Sequence, residues 1–172
     1  LIYYSDKYDR NISFTMQEWE GIFSAGNSAL NDRVSQYLMK KGIDLPCSRI
    51  VDFAEKESAR EGKALLAADN LTAYAAKCCG KDLSTASRLL NDKNVFYRSW
   101  FIGVAAKTGS PETIPFLLDM LTGGDEKLAG ESYRALVAIT GIDKEGRYRD
   151  RYNDIGLVTR FGAYYRDTGF KN

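Results

Sequence analysis

Two segments of the chain repeat. Val104-Ala105-Ala106-Lys107-Thr108-Gly109 and Leu136-Val137-Ala138-Ile139-Thr140-Gly141 align at an offset of 32 residues. Leu89 and Leu121 share the offset, and Ala75-Ala76-Lys77 precedes Ala105-Ala106-Lys107 by 30. Units of this length, each with glycine at its boundary, hold two helices. Neither helix can hide its apolar stripe alone, so successive units must stack. The expected fold is therefore all-α: a right-handed α-solenoid of stacked helical hairpins, with about eight helices.

Local signals place those helices. Thr15 and Glu18 have the spacing of a capping box, and Phe14 and Trp19 that of a hydrophobic staple, so a helix starts at Thr15 and ends near Gly26. A second runs from about Ser28 to Lys41, with Gly42 as its left-handed stop. Residues 47 to 68 read as helix with a break near Gly62. Asp69 or Asn70 can cap the next, which stops at Gly80. A short helix spans Asp82 to Leu90, and another runs from Val95 to Lys107. Ser110 is an N-cap with Pro111 at the first helical position, where its missing N–H costs nothing. Asp125 caps a last helix ending at Gly141. Three regions follow: an extended aromatic arm over 1–14, a helical-repeat domain over 15–142 (clearest over 82–109 and 110–141), and a C-terminal cap over 143–172 rich in arginine and aromatic residues.

At these residues the chain resembles a known family. Asn91-Asp92-Lys93-Asn94-Val95-Phe96-Tyr97-Arg98 looks like the turn and second-helix start of HEAT-like repeats of the phycobilisome-lyase type. Ser110-Pro111-Glu112-Thr113-Ile114-Pro115 looks like the following first helix with its early proline. Ala135 to Gly141 resembles the closing A-L-x-x-I-T-G of bacterial examples. The resemblance is firm over about 82–141 and weak over 47–80. Trp100 and Phe101 stand where small residues are usual, and Ala129-Gly130 where an arginine would fall. The resemblance implies a protein-binding scaffold.

Composition removes several chemistries. The 172 residues include no histidine, which excludes Ser-His-Asp and Cys-His catalysis and HExxH zinc sites. Lys plus Arg number 24 against 23 Asp plus Glu, a net charge of +1, which argues against broad nucleic-acid or membrane attraction. Cys47, Cys78 and Cys79 form a poor disulfide framework and a weak zinc set. They read as small core residues suited to a reducing compartment. No catalytic, cofactor-binding or metal-binding residues are expected, and no membrane span. A cytoplasmic location is expected, with export open because the chain begins at Leu1 rather than Met.

Several residues stand out as partner anchors. The helix over 95–106 is apolar nearly all round, the pattern of a central buried helix or of an interface. Tyr97, Arg98 and Trp100 are the anchor types common at interfaces. The competing reading for Arg98 is an ion pair with Asp92 or Glu131. Lys127, Glu131 and Arg134 share one polar face that reads as solvated, and Arg134 joins the partner-binding set. Glu57 and Glu61 alternate with cations and read as solvated surface. In the tail, Arg149 and Tyr152 complete the set. Arginines interleaved with aromatics can stack bases, but seven cations against five acids over 143–172 leave only +2.

The expected function is a non-enzymatic protein–protein interaction module. An inhibitor or immunity protein that binds a bacterial toxin or effector fits the size and the lack of catalytic groups. The alternatives are a DNA-binding HEAT-like protein of the alkylation-repair type, and a generic scaffold or lyase-helper subunit.

Overall fold

The computed structural model describes residues 14–80 and 95–168, with the side chains of 58–66 outside that description. The expected helix over 82–90, residues 1–13 of the expected 1–14 arm, Asp92 as a partner of Arg98, and the side chain of Glu61 lie outside that description. The described residues, taken together, are helical throughout their regular elements. Those residues form eight α-helices and no strand: α1 (Met16–Ala25), α2 (Ser28–Lys41), α3 (Cys47–Leu66), α4 (Asp69–Cys79), α5 (Val95–Thr108), α6 (Ile114–Thr122), α7 (Glu126–Thr140) and α8 (Ile155–Asp167). None is long and apolar enough to cross a membrane.

The sequence signals at helix ends recur as geometry. Thr15 and Glu18 close the capping box at the start of α1, and the Phe14 and Trp19 rings meet edge to face at 4.8 Å. Gly42 and Gly141 end α2 and α7 in the left-handed region, at φ 68° and 72°. Asp125 Oδ1 accepts the Leu128 N–H at 3.0 Å. Ser110 caps a short 3-10 turn over Pro111–Thr113 that leads into α6.

Three local expectations are corrected. Helix α3 runs unbroken past Gly62. Helix α4 has no cap from its own side chains. Instead Asp32, on α2, accepts the Asn70 and Leu71 N–H groups at 2.8 and 3.1 Å and the Asn70 side-chain amide at 2.8 Å. The anion thus meets the positive end of a helix dipole from a neighbouring element. Lastly, the tail carries a helix, α8, capped by Asp154 through the Leu157 N–H.

Helices α2, α4, α5 and α7 form a row in which each packs on the next. Helix α3 packs on α1, α4 and α5, while α6 lies against α7 and α8. The matched ends of α5 and α7, residues 104–109 and 136–141, belong to adjacent members of that row. Helix α5 is central: Tyr97, Ser99, Trp100, Phe101, Ile102, Val104 and Ala105 are all buried. Its apolar residues are spread round the helix because α3, α4 and α7 all cover it. At the far end Leu157 and Phe161 of α8 are fully buried, closing the row's apolar end.

The cysteines depart most from expectation. Cys47, at the start of α3, is disulfide-bonded to Cys79, at the end of α4, across 32 residues and a Cα–Cα distance of 4.9 Å. They are therefore not merely small core residues. Cys78 remains free and half-buried. A loop of this length gives a chain-entropy stabilisation of about 3–4 kcal/mol. Glu57 also departs, being 6% exposed where a solvated carboxylate was expected.

Candidate protein-binding surface

The row of helices leaves a groove of about 410 Å³ where α4, α5 and α7 meet. Its floor comes from Thr72, Ser99, Trp100 and Gly103, and its rim from Asp69, Lys107, Glu131 and Arg134. Gly103 carries no side chain, and a Cβ built there would find only Thr72 Cγ2 at 3.6 Å, an ordinary contact.

The floor's polar groups are satisfied. The Trp100 indole N–H donates to Thr72 Oγ1 at 3.0 Å, and the Thr72 hydroxyl donates to the Ala68 carbonyl at 2.8 Å. Ser99 donates to Glu131 Oε2 at 2.5 Å. Lys127 lies over the Phe96 ring at 5.1 Å. The Lys127, Glu131, Arg134 face of α7 is thus solvated at Lys127 and Arg134, while Glu131 is half-buried against α5 through Ser99. Arg134 lies at the groove.

These positions correct the anchor assignments on α5. Tyr97 is fully buried and Trp100 is 2% exposed. The two rings stack on each other, with centroids 6.3 Å apart; Tyr97 belongs to the core, and Trp100 is a core residue whose edge lines the groove. Arg98 is half-buried. Its Nε is buried without a hydrogen bond, and it makes no ion pair with Glu131, whose carboxylate takes the Ser99 hydroxyl.

Arg149 and Tyr152 lie elsewhere, on a second surface built around Asp143. This residue sits in the left-handed region at φ 61°. Its carboxylate accepts the Tyr133 hydroxyl at 2.5 Å and the Arg147 and Tyr148 N–H groups at 3.0 Å each. Burial opposes its charge. The hydrogen bonds from Tyr133, Tyr148 and Arg147, with the charge of Arg160, outweigh burial and hold the carboxyl below its ordinary range. The Tyr133 phenol moves the other way, to about 12, through burial first and then the bond to Asp143.

Around this hub the Arg151 and Arg160 guanidiniums lie 5.9 and 5.1 Å from the Tyr148 ring. Tyr152 packs on Tyr133 at 6.4 Å between centroids and donates its hydroxyl to the Glu126 carbonyl at 3.3 Å. Arg149, Arg151 and Arg160 are exposed, while Glu145 is taken by Arg147 at 2.6 Å. Nearby Ile155 is 83% exposed. Sequence reasoning missed Ile155 and the groove itself.

No protein-family model, curated protein or solved structure matches this chain.

Proposed function

We propose that the chain is a non-enzymatic protein-binding module, a stack of helical hairpins of the HEAT-like kind. It seats a segment of a partner protein in the groove across α4, α5 and α7. The observation that carries this reading is the groove itself: three successive helices of one row contribute to it, Ile102, Ala106 and Ala135 line it beside Thr72, Ser99 and Trp100, whose polar side-chain atoms are already hydrogen-bonded, and its rim is charged. Such a centre of low desolvation cost inside a polar rim is the anatomy of a protein interface. The Arg149, Tyr152 and Ile155 surface is a second contact area of the same chemistry. Tyrosine and arginine anchors are enriched at binding hot spots.

The most concrete form of the proposal is an inhibitor or immunity protein that occupies a bacterial toxin or effector. The DNA-binding alternative needs uncompensated cations, and the near balance of charge disfavours it. Two measurements separate them. Gly103→Leu fills the groove with a side chain whose Cβ has room, and Arg134→Glu reverses the rim. Both variants are expected to fold and to lose at least tenfold in affinity for the native protein partner. Unchanged affinity in the folded double variant sinks the groove as the site. Duplex DNA binding at about 50 and 200 mM salt is expected to be weak. A tight complex with a steep salt slope overturns the protein-binding reading.

A further inference from the structure

Helix α4 grips the connector between α2 and α3 with side chains spaced along its C-terminal half. The Tyr74 hydroxyl accepts the Leu45 N–H at 2.8 Å and donates to the Ile43 carbonyl at 3.0 Å. Lys77 pairs with Asp44 at 2.5 Å. Cys79 completes the series through its bond to Cys47. The grip therefore spans residues 43 to 47 from positions 74 to 79 of α4. Tyr74 is fully buried, and Cys47 and Cys79 are 6% and 3% exposed.

Cys78 stands beside the bonded pair without joining it. Consecutive helical residues point about 100° apart. Cys79 thus faces Cys47, while Cys78 turns towards Tyr74 and Asp44. Burial, the largest influence, raises its thiol pKa, and the hydrogen bond with Tyr74 opposes this only in part. A thiol that stays protonated is a poor nucleophile in disulfide exchange.

From this arrangement we infer that Cys47–Cys79 is a maturation disulfide, acquired in an oxidising compartment by exchange with a disulfide-bearing oxidant, and that Cys78 remains a free thiol throughout. One of the two cysteine thiolates attacks a sulfur of the oxidant's disulfide and expels one thiolate of that reagent. The second cysteine thiolate attacks the protein sulfur of the mixed disulfide, forms the Cys47–Cys79 bond and releases the reagent's other thiolate. Two protein thiols are oxidised, the oxidant's disulfide is reduced to two thiols, and two protons pass from the first pair to the second. Disulfides persist in such compartments and not in a glutathione-reduced cytosol. The chain thus works where it is oxidised, which replaces the cytoplasmic expectation, and this holds whether or not the groove binds a protein.

Thiol counting tests it. The chain is produced by secretion into an oxidising compartment and, in parallel, in a reducing cytosol, then alkylated with iodoacetamide in denaturant without reductant. The secreted form is expected to take a single adduct, on Cys78, with Cys47 linked to Cys79 in the peptide map. The cytosolic form is expected to take three adducts, and to drop to one after incubation in an oxidised/reduced glutathione buffer. Three adducts on the secreted form, a linkage that includes Cys78, or a bond already complete in the cytosolic form each overturn the inference. A stability measurement is independent of these counts. Reductant is expected to lower the unfolding midpoint of the oxidised protein by about 10 °C, and to leave a Cys47→Ala/Cys79→Ala variant unchanged. Cys78→Ser is expected to keep the wild-type midpoint and its response to reductant. An unshifted wild-type midpoint under reductant, with the bond shown to be open, also overturns it.

Discussion

Two connectors of this protein are held by opposite means. The short one between α2 and α3 is gripped from outside, by a phenol, an ammonium and a sulfur projecting from α4. The long one between α7 and α8 is organised from within, by the Asp143 carboxylate gathering two N–H groups of its own turn and one phenol from α7. The first depends on a neutral hydroxyl and a covalent bond inside the core. The second depends on an ionised group at half-exposed depth. The buried disulfide and hydroxyl of the first connector make it sensitive to reductant, whereas the Asp143 hub makes the second sensitive to pH.

Substitutions that separate the two should follow that division. Tyr74→Phe strands the Leu45 N–H and the Ile43 carbonyl without their partner, and is expected to cost about 2–4 kcal/mol in urea denaturation. The loss should be the same at every pH between the carboxylate and phenol ranges. Next in size, Tyr133→Phe removes one donor from Asp143 and is expected to cost about 1 kcal/mol. A Tyr133→Phe loss equal to that of Tyr74→Phe would erase the contrast between connectors.

The pH dependence sharpens it. Asp143 is depressed in the folded state, so its contribution is present above its unfolded pKa and is lost as pH falls through the lower folded value. The Tyr133 phenol is raised to about 12, so its contribution is present below its unfolded pKa and is lost as pH rises through the folded value. NMR shifts of the Arg147 and Tyr148 amides, which donate to Asp143, should therefore change in acid, and those around the Tyr133 phenol in strong base. Asp143→Asn is expected to flatten the acid limb at the tail alone. The smallest effect belongs to a helix end: Asp32→Ala removes the borrowed cap of α4 and is expected to cost about 1 kcal/mol. Hydrogen exchange should then rise at Asn70 and Leu71 without reaching either connector.

Much of the helical framework was legible in the sequence, because its signals are local. The capping box at Thr15, the staple of Phe14 on Trp19, and the glycines at 42 and 141 act within one turn of chain. What escaped was set by partners distant in sequence. Asp69 and Asn70 looked like caps, yet the α4 N–H groups turn to Asp32, 38 residues away. Tyr97 and Trp100 have the composition of interface anchors, but three helices cover them. Helix α8 escaped because Ile155, Val158 and the tyrosines show a stripe only once Leu157 and Phe161 have a core to enter.

The sequence by itself determined an all-α chain, the ends of several of its helices, and the absence of histidine chemistry. Periodicity and capping belong to single helices, so no neighbour is needed to read them. Tertiary structure alone decided that α2, α4, α5 and α7 lie in one row, that a groove lies where α4, α5 and α7 meet, and that Cys47 pairs with Cys79 and not with Cys78. Those outcomes depend on which faces meet across 30 or so residues, and a disulfide forms only where two thiols are brought within bonding reach.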